Sequence, residues 1–403
     1  MKLLPNLLAV AVLAGLSTPA LAETEFDVIG GSEISFEGLV QADYNWFDND
    51  VSNLNGSAFD GTDSDSQIRR SELVLKGKGP GMWGWVVGYD ATAKKFLDTN
   101  ISYKFSGFTT LTVGQFKQPN SLEELSSTKN NDFISKAMGT NMQGLSRRVG
   151  VGLTTGGDNW SLTGSIFTRE LTRNLGEGDG FGARFTFAPI NDSGNILHLG
   201  LSAVDYQAEI ANVGPNSDDA AQFRVRPDAD LSGKRLIDTG VFTDADNIRT
   251  IGLEGAWVHG PVKIQSEYMT TDISRNAHSD FTGDSWYIYG VWNITGETWG
   301  YKNGVITTSL PSEPASGMWQ VGVRYDQADL NDGNVVFGTP NIVNGVLGGK
   351  EDNWTVGVNW YWRSNFKFAL NYVKVNSEKY SSSAGTFVND DPSIVEFRGQ
   401  IYW

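Results

Sequence analysis

The residues of this 403-residue chain best suited to chemistry are basic. Arg224 and Arg226 stand two apart, so an extended backbone puts both guanidinium groups on one face. Lys234 and Arg235 follow in the same polar segment. A guanidinium is permanently charged, and its planar fork can donate two parallel hydrogen bonds to phosphate or carboxylate oxygens. Lys adds a point charge. The plain alternative is a solvated loop whose basic residues pair with Asp228, Asp230 or Asp238. The residues alone leave both readings open.

A second basic group sits on alternating segments. Arg69 and Arg70 are adjacent, so only one is expected on the polar face. Leu73 and Leu75 share the parity of Arg69, which favours Arg70. Lys94 shares a face with Asp90, opposite Trp85, Val87 and Tyr89. Arg324 alternates with Val323 and Tyr325, and Lys104 with Tyr103 and Phe105. Lys117 precedes a helix-like stretch from Ser121 to Lys129, with Ser121 as N-cap and Glu123 and Glu124 in the first turn. Around it Glu123, Glu124 and Asp132 balance Lys117, Lys129 and Lys136. Each of these cations has the plain alternative of pairing with a cross-strand acid.

Catalytic and metal chemistry find little footing. Cysteine is absent, which removes disulfides, thiolate ligands and cysteine nucleophiles. His198, His259 and His278 lack metal-pair spacing and read as lone polar residues. His198 shares a face with Ser202, but four residues along a strand separate them by about 13 Å. Asp48, Asp50, Asp60, Asp63 and Asp65 lack the order of an EF-hand and read as a solvated acidic loop. Gly176 to Gly180 reads as a turn, not a dinucleotide loop. No enzyme activity and no cofactor are expected.

The elements that must carry these groups have period two. Trp319, Val321, Val323 and Tyr325 alternate with Gln320, Gly322, Arg324 and Asp326. Trp354 to Trp362 and Val395 to Trp403 repeat the pattern. Strands are predicted at 33–46, 66–78, 82–94, 97–105, 108–116, 147–155, 159–170, 179–188, 195–206, 246–259, 261–272, 283–296, 316–329, 350–362, 365–378 and 393–403. Tight turns are predicted at Gly79-Pro80-Gly81, Ser106-Gly107, Gly156-Gly157, Gly260-Pro261 and Ser364. Longer polar loops, at 47–65, 117–146, 207–245, 297–315 and 330–349, are predicted on the opposite side, with 47–65 and 330–349 as solvated external surface.

Apolar and aromatic residues on one face of nearly every strand, with charge on the other, fit a closed antiparallel transmembrane β-barrel of about sixteen strands better than a soluble sandwich. Trp46, Trp83, Tyr325, Trp354 and Trp362 read as interface girdles. Lys2, an apolar run to Leu16 and Ala20-Leu21-Ala22 predict a signal peptide over 1–22, leaving a single barrel domain over 23–403. The apolar run is too short for a spanning helix. A formal charge of −16 argues against nucleic acid as a partner.

Several stretches carry a family likeness: Gly114 to Pro119 leading into Ser121 to Ser127; Phe223 to Pro227, then Leu231 to Gly240; Thr295-Gly296-Glu297; and the closing strand to Trp403. Together they resemble the phosphate-selective porins, the O and P porin family, over most of residues 33–403. The resemblance implies a homotrimeric, sixteen-stranded channel of the bacterial outer membrane, in contact with its lipid and lipopolysaccharide. It implies passage of phosphate, polyphosphate and other small anions, and a third loop folded inward. It also implies pore-lining cations: Arg224, Arg226, Arg235, Lys234, Arg70 and Lys117 first, then Lys94 and Arg324. The acidity of the chain motivates the alternatives of a general or cation-preferring porin. An outer-membrane enzyme or adhesin is the remoter alternative.

Overall fold

The computed structural model describes residues 24–28, 32–55, 63–105, 107–172, 178–209, 220–333 and 345–403. The signal segment, Asp60, Ser106, Gly176-Glu177 and most of the 330–349 loop lie outside them.

Sixteen antiparallel strands close into a barrel. They are β1 (Ser32–Asp48), β2 (Ser64–Lys78), β3 (Trp83–Asp90), β4 (Lys95–Lys104), β5 (Thr110–Lys117), β6 (Arg147–Gly156), β7 (Trp160–Phe167), β8 (Gly180–Asp192), β9 (Asn195–Gln207), β10 (Ala245–His259), β11 (Val262–Arg275), β12 (Phe281–Asn293), β13 (Met318–Gly333), β14 (Gly345–Trp362), β15 (Phe366–Ser381) and β16 (Ser393–Tyr402). Each pairs with its sequence neighbour, and β1 closes on β16 with Leu39 opposite Tyr402 and Asp48 opposite Ser393. Two short strands, Thr24–Val28 and Thr386–Asn389, extend the same sheet.

The wall is inside-out relative to a soluble sandwich. Outward Leu201, Leu253 and Val356 are about half exposed, whereas inward Gln41, Asn353 and Thr250 are at most 2% exposed. Lipid demands the first and a wet or packed lumen permits the second. Outward aromatics gather toward both rims. Trp286, Tyr325 and Trp354 form a chain near the loop end, with centroids 5.3 and 5.0 Å apart, and Trp319 stacks on Trp360 at the turn end. Among the described residues, no helix is long and apolar enough to cross a membrane.

Three expectations need correction. Arg69 is the extra residue of a β-bulge, where Gln41 pairs with Arg70 and Ala42 with Ile68. The bulge interrupts alternation, so Arg69 and Arg70 both turn inward. Lys94 lies on no strand: β3 ends at Asp90, and Lys94 is exposed in the following turn with φ 52°. The segment 294–317 lies at the turn end, not among the long loops, because Asn293 pairs with Gln320 and Met318 with Tyr361. It carries a two-stranded hairpin, Trp299–Lys302 with Val305–Thr308. Asn303 and Gly304 both take positive φ, as a two-residue hairpin turn of this hand requires.

Candidate functional site

The interior is built by three segments that fold back into the barrel. The first is the third loop, 118–146, with the short helices α1 (Leu122–Leu125) and α2 (Met138–Gln143). Ser121 caps α1 as expected, its hydroxyl accepting from the Glu124 amide at 3.2 Å. Glu267 of β11 accepts from the Leu122 and Glu123 amides, both at 2.8 Å. A carboxylate at that end complements the helix dipole. The loop then runs along the wall of β13 to β16. Its carbonyls at Asn131, Asp132, Ile134 and Ser135 accept from Lys367, Asn359, Arg398 and Arg324.

The second is the loop after β9, described from Ala220 to Asp244. It crosses the mouth. Ala229, Leu231 and Leu236 bury against Phe47, Val373, Val375 and Ile394 of β1, β15 and β16. Its acids bind the wall: Asp228 meets Arg324 at 2.9 Å, and Asp230 meets Arg69 at 3.0 Å and Arg398 at 3.5 Å. Burial alone would raise the Asp230 carboxyl, but Arg69 and Arg398 hold it well below the usual carboxylate range. The first loop docks on this strap rather than standing free in solvent: Leu54 is fully buried and its carbonyl accepts from the Gly233 amide.

The basic residues of the strap face the other way. Val225 is buried, while Arg224 is exposed and Arg226 half-buried. Arg224 reaches Asp238 only at 4.0 Å. Arg226 donates to the Ser232 carbonyl at 2.6 Å. Among the described residues no ion pair closes on Arg226 or Arg235. Burial holds both guanidinium groups below their usual value; Asp230 opposes it at Arg226, where Arg69 and Arg224 add to it, and at Arg235 Arg226 and Arg224 add to it against Asp238. Lys234 is exposed beside them.

Below this cluster a cavity of about 300 Å³ separates the third loop from the wall of β1 to β6. Lys76, Lys117, Lys129 and Arg147 line it, with Ser126, Ser127 and Thr128 and the acids Glu37, Glu72 and Asp98. Lys117 donates to the carbonyls of Glu124 and Ser126. Arg147 pairs with Asp98 at 2.8 Å, and Lys76 pairs with Glu37. Lys129 lies 5.6 Å over the Tyr402 ring. Arg70 stands on β2 between the two cationic regions, paired with Glu72 at 3.0 Å.

The structure thus groups Arg224, Arg226, Lys234 and Arg235 on the strap, with Arg226 near Arg69 of β2, and places Arg70 on β2 and Lys117 at the cavity. Lys94 stays outside it, on the rim. Arg324 points inward as alternation requires, but it is 1% exposed and clamped by Asp228, the Ser135 carbonyl and Phe133. It anchors two loops and lines no open path, because both loops fold over it. Alternation fixes the side of a residue, not what covers it. Lys76 and Arg147 escaped the sequence reading, and Lys129 entered it only in the charge balance of the third loop. Lys76 was recoverable, sharing parity with Arg70 on β2.

The third inward segment is the turn-end hairpin. Arg184 of β8 donates to the Gly304 carbonyl at 2.8 Å and to Glu254 of β10 at 2.6 Å. His198 of β9 bridges Tyr301 of the hairpin at 2.8 Å and Glu254 at 3.2 Å. His198 is therefore no lone polar residue. Asn303-Gly304 was the signal for this hairpin.

A closed sixteen-stranded barrel with an inward third loop and a charged interior is a porin-type channel. The sequence model described as "Phosphate-selective porin O and P" matches residues 40–403, and the chain belongs to that family. It is 27% identical to Porin O of Pseudomonas aeruginosa over 88% of this chain and 85% of that one. Among solved structures it resembles the anion-selective porin from Comamonas acidovorans, with TM-score 0.55 and 13% identity over 92% of this chain and 100% of that one. The outer-membrane channel DcaP of Acinetobacter baumannii gives TM-score 0.56 and 11% identity over 94% of this chain and 99% of that one. The chain is an outer-membrane porin.

Proposed function

We propose that the channel passes anions by passive diffusion, with phosphate or polyphosphate favoured. One observation carries this reading. The strap across the mouth gives its acids, Asp228 and Asp230, to wall arginines and leaves Arg226 and Arg235 without an ion pair among the described residues. Fixed cations attract anions and, being hydrogen-bonding groups that water still reaches, let them go again. From Arg224, Arg226, Arg235 and Lys234 an anion passes Arg70 to reach Lys76, Lys117, Lys129 and Arg147. The family description and the name of the Pseudomonas relative lend support. Changing Arg224 and Arg226 together to Ala is expected to weaken phosphate block of chloride current in a planar bilayer. Unchanged block would place both outside the path.

The rival reading is a general or cation-preferring porin. The pairing of Lys76 with Glu37, Arg147 with Asp98 and Arg70 with Glu72 favours it, since paired charges attract neither sign strongly. The sign of the reversal potential under a potassium chloride gradient decides between them. An enzyme or adhesin would give no ohmic conductance.

The mature chain starting at Glu23 after signal cleavage belongs to the same proposal, as does assembly into a homotrimer in contact with lipid and lipopolysaccharide. Strands β3, β5 and β7 have 8 residues each, short of the roughly 9–11 a spanning strand needs. Outward Ile101 and Ile166 in this short sector are 61% and 65% exposed. Sister chains would cover that sector. An Ile101→Lys variant running as a monomer in mild detergent, against a wild-type trimer, tests this.

A further inference from the structure

We propose that the outer face of β13 to β15, at the turn end, is a docking site for an anionic glycerophospholipid such as phosphatidylglycerol. Arg363 holds the phosphate, and the indoles of Trp319, Trp360 and Trp362 carry the glycerol and the upper acyl region. The proposal rests on the barrel standing in a membrane and not on the ion it passes.

Alternation puts Trp319, Trp360, Trp362, Phe366 and Phe368 on the lipid side, and the register sets them opposite one another. Trp319 faces Trp360, Trp360 faces Phe368 and Trp362 faces Phe366. The rings make one slab. Trp360 stacks on Trp319 at 5.4 Å and on Phe368 at 5.6 Å, and Trp362 lies 5.9 Å from Trp360 and 5.3 Å from Phe366. An indole is apolar in its body and polar at its N–H, so such rings sit where acyl chains give way to headgroups. Trp360 donates its N–H to the Ser316 carbonyl at 2.9 Å. Among the described residues no acceptor meets the indole N–H of Trp319 or Trp362. Short turns mark the periplasmic side of such barrels, where the leaflet is glycerophospholipid rather than lipopolysaccharide.

A cation stands at the edge of the slab. The exposed Arg363 guanidinium lies 5.1 Å over the Trp362 ring, and among the described residues no ion pair closes on it. By contrast the outward Arg249, at the loop end, pairs with Asp205 at 2.8 Å. The ring covers one face of the guanidinium and leaves its planar fork to donate two parallel hydrogen bonds, which a phosphodiester accepts. A zwitterionic headgroup brings its own ammonium to compete for that phosphate; an anionic one does not. The backbone holds the group there under strain. Arg363 and Ser364 stand in the turn between β14 and β15 with φ 53° and 64°, a region that Gly and Asn ordinarily fill. Strain of this kind persists where the rest of the fold enforces it and the side chain is used. The Arg363 amide donates to the Pro314 carbonyl at 3.1 Å, so the segment that receives the Trp360 N–H also fixes the turn.

Native mass spectrometry of the full-length channel, after exposure in detergent to equimolar phosphatidylglycerol and phosphatidylethanolamine, tests this. Wild type is expected to retain phosphatidylglycerol roughly tenfold more than phosphatidylethanolamine. Arg363→Asn, which suits the backbone of the turn, is expected to lose the preference. Lys78→Gln, at an exposed cation of the same end paired with Glu33 at 3.7 Å, is expected to keep it. Equal retention of the two lipids by wild type, or an undiminished preference in Arg363→Asn with native circular dichroism, overturns the site. If Arg363→Asn does not fold, Trp362→Leu replaces it: the variant keeps an apolar side chain and removes the ring behind the guanidinium, and an intact preference there overturns the proposal equally.

Discussion

The two halves of the wall use the same residue types to opposite ends. From β9 to β16 the inward cations are covered: Arg324 is 1% exposed, and Lys263 and Arg398 are each 4% exposed. All three close on acids or loop carbonyls. From β2 to β6 the side chains of Arg70, Arg147 and Lys76 are 20%, 16% and 45% exposed, and Arg147 and Lys76 line the cavity. The covered half also holds apolar residues that a water-filled lumen would not tolerate, such as Val258, Tyr289 and Val291, packed under the third loop and the hairpin. Inward direction thus means a packed core on one side and a conduit on the other. What separates them is the loop laid over each, not the strand pattern beneath.

The sharpest way to break this contrast is to remove a cation from each half. Arg324→Ala leaves Asp228 and Asp326 buried around a missing charge and should lower resistance to urea unfolding by about 3–5 kcal/mol. It should also free both loops and make the current flicker. Phe133→Ala, opening a gap beside Tyr289, should cost about 3 kcal/mol by the same assay. Lys76→Ala, in the open half, should cost under about 1 kcal/mol, since its ion pair with Glu37 is solvated. Its effect should appear in conductance. Equal losses for Arg324 and Lys76 would erase the distinction.

The smallest effect concerns acid. Burial works to raise the Glu124 carboxyl above its ordinary 4.5, yet Lys136 and Lys117 bring it down to about 2. A lowered carboxylate stabilises above its unfolded value and loses that contribution as pH falls toward the folded one. The third loop should therefore behave alike at pH 7 and pH 5 and loosen only below about pH 4.5. Conductance noise against pH checks this. In Lys136→Met the loosening should begin at higher pH.

Much of the architecture was legible because lipid enforces it. All sixteen strands follow from alternation, since each outward side chain must suit hydrocarbon and each backbone group must pair with a neighbour. The tight turn at Gly260-Pro261 and the cap at Ser121 were legible for local reasons: a two-residue connection, and a hydroxyl that satisfies a helix amide. The interior was legible only in part. The parity of Arg324 was right and its cover invisible, because that depends on Asp228 arriving from a loop 96 residues away in sequence. His198 looked solitary for the same reason: its partners Glu254 and Tyr301 are 56 and 103 residues distant. The hairpin after β12 was placed at the wrong end, since loop length was the only cue and a length carries no direction.

The bulge at Arg69 sets the reading frame of the sheet around it. Below it, Arg70, Glu72 and Lys76 look into the water; above it the phase is inverted, so Ile68 meets lipid and Gln67 looks in beside Asp43. Deleting that single residue would remove the bulge together with the charge. Ile68 would then adjoin Arg70 directly and keep its place opposite Ala42, so the upper end of β2 would stay in frame, Ile68 to lipid and Gln67 to the interior, while Asp230 lost the arginine that ties the strap to this strand. Arg69→Ala keeps the bulge and loses only the tether, so any cost of the deletion beyond that of the substitution measures the bend that the bulge gives β2.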